Sequence, residues 1–165
     1  MKRAFTVLAM LLLIPPFVIG QTTGSKVGRI SDNRGEEAIR KALSDFIAAW
    51  NTHDAKAFSM VFAEEADFTN VRGMSAHGRG EVEKFHAPRF ATTFKDSHQK
   101  ITDIKIRFIK PDVAAVDARW EMTGAKNAEG QDIPLRKGLL NFVMTKESDK
   151  WFITVMHNMN LPESP

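Results

Sequence analysis

Between residues 39 and 50 the apolar side chains recur in steps of three and four, at Ile39, Ala42, Leu43, Phe46, Ile47 and Trp50. That spacing puts all six on one face of an α-helix. The helix is predicted to open at a capping pair, Asn33 with Glu36, and to end near Asn51. A break follows at Thr52-His53-Asp54. Asp54 is suited to cap a second, short helix reaching about Ala63, whose apolar positions are Ala55, Phe58, Val61 and Phe62. The period then falls to two, as in a strand from about Asp67 to Val71. Ala66, Phe68 and Asn70 face one way, Asp67, Thr69 and Val71 the other.

Arg72 to Gly80 carries three glycines and reads as a turn or tight hairpin. A third helix follows, with Val82, Phe85, His86, Phe90 and Phe94 near one face. Pro88 belongs either to its first turn or to a kink. After Ser97 the pattern is strand-like throughout. Predicted strands cover Ile101–Phe108, Val113–Thr123, Arg136–Lys146 and Trp151–Asn160, with turns at Lys110-Pro111-Asp112 and Glu147–Lys150. Helices first and an antiparallel meander last make an α+β domain.

The length of 165 residues allows one domain with a true core. The first twenty residues stand outside it. Lys2 and Arg3 precede a short apolar run from Ala4 to Ile14, broken by Pro15-Pro16 and closed by the small residue Gly20. This is the plan of a signal peptide, and the run is too short for a convincing membrane span. Residues 21–33 read as a flexible leader and 34–161 as the folded domain, so the mature protein is expected to be exported, periplasmic or secreted, and free of the membrane. Removing Lys2 and Arg3 takes the formal net charge from +3 to +1. The basic balance is thus partly an export signal, and no dense Lys/Arg stripe marks a nucleic-acid partner.

Several chemistries are excluded by residue type. Cysteine is absent, which removes disulfides, thiolate metal sites and a thiol nucleophile. The five histidines show no i, i+4 pairing, and there is no His-Glu-x-x-His run, so no metal site is expected. No Gly-x-Ser-x-Gly elbow, phosphate loop or dinucleotide fingerprint occurs, and no cofactor is expected.

The run Phe46-Ile47-Ala48-Ala49-Trp50-Asn51-Thr52-His53-Asp54, followed by Phe62-Ala63-Glu64-Glu65-Ala66-Asp67-Phe68, resembles the opening of the nuclear transport factor two-like superfamily. The likeness is to its SnoaL-like group, and within that to the SgcJ/EcaC branch. It continues through Gly78-Arg79, His86, Arg107-Phe108, Pro111-Asp112-Val113-Ala114, Trp120 and Trp151-Phe152-Ile153…His157-Asn158. The resemblance implies a cone: a strongly bent antiparallel sheet around three N-terminal helices, an apolar pocket at the wide end, and homodimers joined through the outer sheet face. Members include polyketide cyclases, ketosteroid isomerases, dehydratases and binding or association domains, so the fold implies a pocket better than a reaction. The oxidoreductase label attached to part of the branch finds no nucleotide site here to support it.

The resemblance also allows one mechanism to be tested. Isomerases of the superfamily use a Tyr, an Asp base and a second Asp held protonated. Aligned on this chain, those roles fall on Phe46, Asn70 and Leu140, none of which can fill them. The same alignment turns Leu140, Met156 and Asn158 inward and His157 outward.

Of the polar groups left, His86 is the best acid–base candidate, or else a core histidine bonded to a backbone carbonyl. Asn70 is either a ligand-binding amide or a satisfied strand-end amide. Trp50 and Trp120 are either aromatic pocket wall or core. His53 is placed to cap the negative end of the first helix. Two functions follow. The domain binds a small, largely apolar molecule through Phe46, Trp50, Asn70, Trp120, Leu140 and Asn158, with His86 as base for proton transfer or hydration at a carbonyl compound. Alternatively it is a non-catalytic dimerisation or interaction module with a packed interior, working through an outer face of Trp151, Ile153 and Val155.

Overall fold

The computed structural model of the protein describes residues 33–162; the expected signal peptide and all of the expected leader but Asn33, which opens the first helix, lie outside them. The elements are α1 (Asn33–Asn51), α2 (Ala55–Ser59), β1 (Phe62–Thr69), β2 (Ser75–His77), α3 (Arg79–Phe90), β3 (His98–Lys110), β4 (Val113–Thr123), β5 (Arg136–Glu147) and β6 (Lys150–Asn160). The strands form one open, curved sheet in the order β2-β1-β6-β5-β4-β3. The architecture is the α+β cone that the sequence implied. One pairing departs from a pure antiparallel meander, since β1 runs parallel to β6. A parallel neighbour needs a long crossover, and the chain from α3 through β5 supplies it.

The predicted stripe of α1 is the buried one, with Ile39, Leu43, Phe46 and Trp50 closed off from solvent. The helix ends in a Schellman motif: the Asp54 amide donates to the Ala49 carbonyl at 3.1 Å and the His53 amide to the Trp50 carbonyl at 2.9 Å. His53 itself takes the left-handed conformation at φ 54°. Its Nε2–H donates to the Ser97 carbonyl at 3.0 Å, and its ring lies edge-on to Phe90. Asp54 caps α2 as expected, accepting from the Ala57 amide at 2.9 Å. Glu36 turns toward Arg40, its carboxylate 2.7 Å from Nη2, an i, i+4 pair in place of the expected reach back to Asn33.

Three boundaries differ from the sequence reading. The second helix stops at Ser59, and Phe62 and Ala63 open β1 instead of closing α2. An apolar run of that length suits helix and strand alike; pairing of Phe62 with Ile153 decides it. The glycine-rich turn contains the short strand β2, bound antiparallel to β1. The third helix begins at Arg79, so Pro88 sits in its last turn rather than its first.

The final strand carries the most consequential irregularity. Val143 faces Val155 and the next residue, Met144, faces Ile153, so β6 has one extra residue there. Such a β-bulge reverses the facing of everything beyond it. Trp151 and Ile153 point into the core before the bulge, and Met156 after it. The expectation of Trp151 and Ile153 on an outer working face is therefore overturned: they are 5% and 0% exposed. Phe152, Val155 and His157, with Thr154 at the bulge and Met159 near the end, are left to the outer side.

Candidate functional site

A cavity of about 420 Å³ lies between α3, the end of α1 and the concave faces of β1, β4 and β6. Five of the residues singled out from the sequence line it: Trp50, Asn70, His86, Trp120 and Asn158. Phe46 and Leu140 do not. Phe46 is interior packing, 4.8 Å from the ring of Phe58 and edge-on to Phe142 at 5.9 Å. Leu140 is fully buried, between Ala118 of β4 and Asn158 of β6 in the ladder.

His86 projects from the buried side of α3 and is 3% exposed. Its Nδ1 lies 2.8 Å from the Val82 carbonyl one turn back. A carbonyl only accepts, so Nδ1 carries the proton and Nε2 keeps its lone pair. Nε2 has no partner among the described residues. The ring sits in an aromatic cage, 4.4 Å from Phe58, 4.9 Å from Phe68 and 6.1 Å from Trp50. Burial among these rings disfavours the imidazolium and lowers the His86 pKa to about 4; the charge of nearby Arg89 acts in the same direction, and the Val82 bond opposes both. At neutral pH the cavity thus holds an uncharged acceptor on an apolar wall.

The other polar groups are held just as specifically. Trp120 Nε1 donates to Asn158 Oδ1 at 2.9 Å, which fixes the indole as a wall and leaves the Asn158 amino group free to face the cavity. Trp50 Nε1 donates to Ser97 Oγ at 3.1 Å. Asn70 closes the turn after β1: its Oδ1 accepts from the amides of Arg72 and Met74 at 2.9 and 3.0 Å. Its oxygen is committed to the fold, and its amino group is what it can offer a ligand.

The sequence reading missed the cations. Arg72, Arg89, Lys126 and Arg136 all line the cavity, and among the described residues no Asp or Glu does. Arg136 could have been found from alternation, because it shares parity with Gly138, Leu140, Phe142 and Met144 on the inward face of β5. The turn and loop positions of Arg72 and Lys126 carry no such signal. Among the described residues no three His, Asp or Glu side chains converge as a metal site would require.

Comparison with known proteins agrees with this architecture. The sequence profile described as the SnoaL-like domain matches residues 31–151. No curated protein matches the chain. Among solved structures, an uncharacterised protein with a cystatin-like fold from Caulobacter vibrioides superposes with a TM-score of 0.72 at 25% identity, over 78% of this chain and 90% of that one. LinA superposes with a TM-score of 0.70 at 14% identity, over 78% and 86%. A protein assigned as a scytalone dehydratase from Novosphingobium aromaticivorans gives 0.69 at 16% identity, over 78% and 85%.

Proposed function

The chain belongs to the SnoaL-like domain family, and from that premise we propose that it binds a small, largely apolar molecule in the cone, with His86 Nε2 as the acceptor that orients it. The observation that carries this reading is a neutral imidazole, buried among five aromatic rings, whose one unengaged nitrogen belongs to a cavity-lining residue. The volume of about 420 Å³ falls in the range of small-molecule sites and speaks against a solidly packed interaction module. Trp50, Phe68 and Trp120 supply apolar wall, and the amino groups of Asn70 and Asn158 supply donors.

Where the site does chemistry, the reading is proton transfer or hydration at an activated carbonyl compound, with Nε2 taking the proton. A base with a conjugate acid near pKa 4 suits acidic C–H groups flanked by carbonyls. The fold shared with a protein assigned as a dehydratase is in keeping with acid–base work in such a cone. We place the mature protein outside the cytoplasm on the signal-like residues 1–20. We also propose a homodimer through the outer sheet face around Phe152, Val143 and Val155, each half-buried in the single chain.

Titration of the purified chain with 2-naphthol and with 2-methoxynaphthalene, read by tryptophan fluorescence, tests the binding reading. The naphthol O–H can donate to Nε2 and the ether cannot. The expected result is saturable binding with a preference for naphthol that disappears in His86→Phe. Absence of saturable binding by either probe, from a folded protein, would contradict it. For the catalytic role, His86→Gln should abolish turnover of a substrate while the fold persists; undiminished turnover would remove His86 from the reaction.

A further inference from the structure

The charge distribution around the cavity is one-sided, and only part of it is internally satisfied. Lys126 is paired with Asp132, whose carboxylate lies 2.5 Å from its Nζ. Arg89 donates to the Phe85 carbonyl and stacks 3.6 Å above the Phe85 ring. Arg72 and Arg136 differ from Lys126: among the described residues neither has a carboxylate within ion-pair distance, a lack they share with Arg89. Arg136 is half-buried, its Nη2 held by Asn160 Oδ1 at 2.9 Å and its guanidinium 5.5 Å from the centre of the Trp120 ring. A neutral amide and an aromatic face orient the group without neutralising it. Arg72 comes from the turn that Asn70 locks through the Arg72 amide, so its backbone is fixed at the rim.

The two guanidiniums feel each other. Burial first, and the Arg72 charge second, pull Arg136 below its ordinary pKa. Two like charges at a partly desolvated mouth, with no internal counter-ion, cost free energy that an anion seated between them would relieve. A planar guanidinium also offers paired N–H donors that match a carboxylate.

We propose that Arg72 and Arg136 form an anion subsite at the mouth of the cavity, so that the ligand class is an aromatic or alicyclic molecule carrying an anionic group, with a carboxylate favoured by the guanidinium geometry. This rests on the cavity being a small-molecule site, and it narrows the ligand from neutral and apolar to amphipathic and acidic. The aromatic wall takes the ring frame and the arginine pair takes the charge.

The test uses the full purified chain and three probes of one ring frame: 2-naphthoate, its neutral isostere 2-naphthamide, and 2-naphthyl phosphate. At low salt the carboxylate is expected to bind about tenfold more tightly than the amide. The preference should shrink as NaCl is raised, because partly exposed charges are screened. Arg136→Gln keeps a donor for Asn160 and Arg72→Gln alters an exposed side chain, so both should fold, which circular dichroism checks. Each should reduce the carboxylate preference, and the double variant should abolish it, with amide affinity within about twofold of the parent. Asn70→Asp keeps the acceptor that the turn needs and adds a negative charge beside Arg72; it should also remove the preference.

Tighter binding of the phosphate than of the carboxylate, through the same two arginines, would support the subsite and assign it to phosphate esters. Binding of the amide with no preference for either anion, or a preference that survives the double variant, would overturn the subsite and leave the cavity reading standing. Binding by none of the three would overturn both.

Discussion

Trp120 on β4 and Asn158 on β6 are joined by a 2.9 Å hydrogen bond that passes over the intervening strand β5. The residue beneath the indole is Gly138, paired with Trp120 in the ladder. A Cβ at Gly138 would overlap the six-membered ring of Trp120 and crowd the Met159 carbonyl. The glycine is what lets a large aromatic lie across its neighbour and reach a polar partner two strands away. Sequence dictates this wall in three places at once: a bulky ring, a missing side chain and an amide at the right register.

Gly138→Ala should therefore cost about 1–3 kcal/mol by overpacking and displace the indole. Urea denaturation gives the first quantity, and weakened binding of the naphthalene probes gives the second. A variant with parental stability and affinity would mean that the ring does not depend on the gap.

His86 makes stability depend on acid in a defined direction. Its folded pKa, about 4, lies below the unfolded value near 6.5, so the unfolded chain binds the proton first. Stability from this group is whole above 6.5, falls as pH drops, and is fully lost near 4, an effect of roughly 3 kcal/mol. The groups facing the ring from α1, α2, β1 and α3 are Trp50, Phe58, Phe68, Phe85 and Phe90, and the one charge acting on it is Arg89. Denaturation at a series of pH values should show that slope between 6.5 and 4 in the parent and a flatter one in His86→Gln. Equal slopes would contradict the assignment. His77 behaves oppositely: on the surface, bonded to Asp67 at 2.9 Å, its pKa is raised. What it contributes is present at low pH and lost as pH rises through that raised value.

Asn70→Ala should destabilise the protein by about 1 kcal/mol, since the amides of Arg72 and Met74 lose an internal acceptor. Asn70→Asp retains the acceptor and should be close to neutral in stability. Thermal melts of the two variants test the difference; identical losses would show that the side-chain oxygen is not what holds the turn.

Much of this was legible from periodicity because each helix and most strands bury one face only. The stripe from Ile39 to Trp50 and the alternation from Ala114 to Met122 name the core directly. What escaped was set by tertiary pairing. Phe62 belongs to a strand because Ile153 lies beside it, and no local pattern says so. The extra residue in β6 turns both Trp151 and Met156 inward, which strict alternation forbids. Of the residues that line the cavity, Trp50, Asn70, His86 and Trp120 were singled out because polar or very large side chains stood out on apolar faces, and Asn158 because the isomerase alignment turned it inward. Phe46 and Leu140 were assigned to the pocket by alignment with enzymes and prove to be interior packing. Arg72 was missed because a turn position says nothing about what it faces.

The central claim is that the cone is a ligand site, and the protein carries its own reporters for it. Of its three tryptophans, Trp50 and Trp120 line the cavity and Trp151 does not. In a ¹H–¹⁵N spectrum each indole N–H gives one cross-peak, assignable by single substitution. Titration with 2-naphthol should move the Trp50 and Trp120 peaks along saturable curves with a common Kd, while the Trp151 peak stays in place. Unmoved Trp50 and Trp120 peaks up to the solubility limit, or an equal shift at Trp151, would contradict the account.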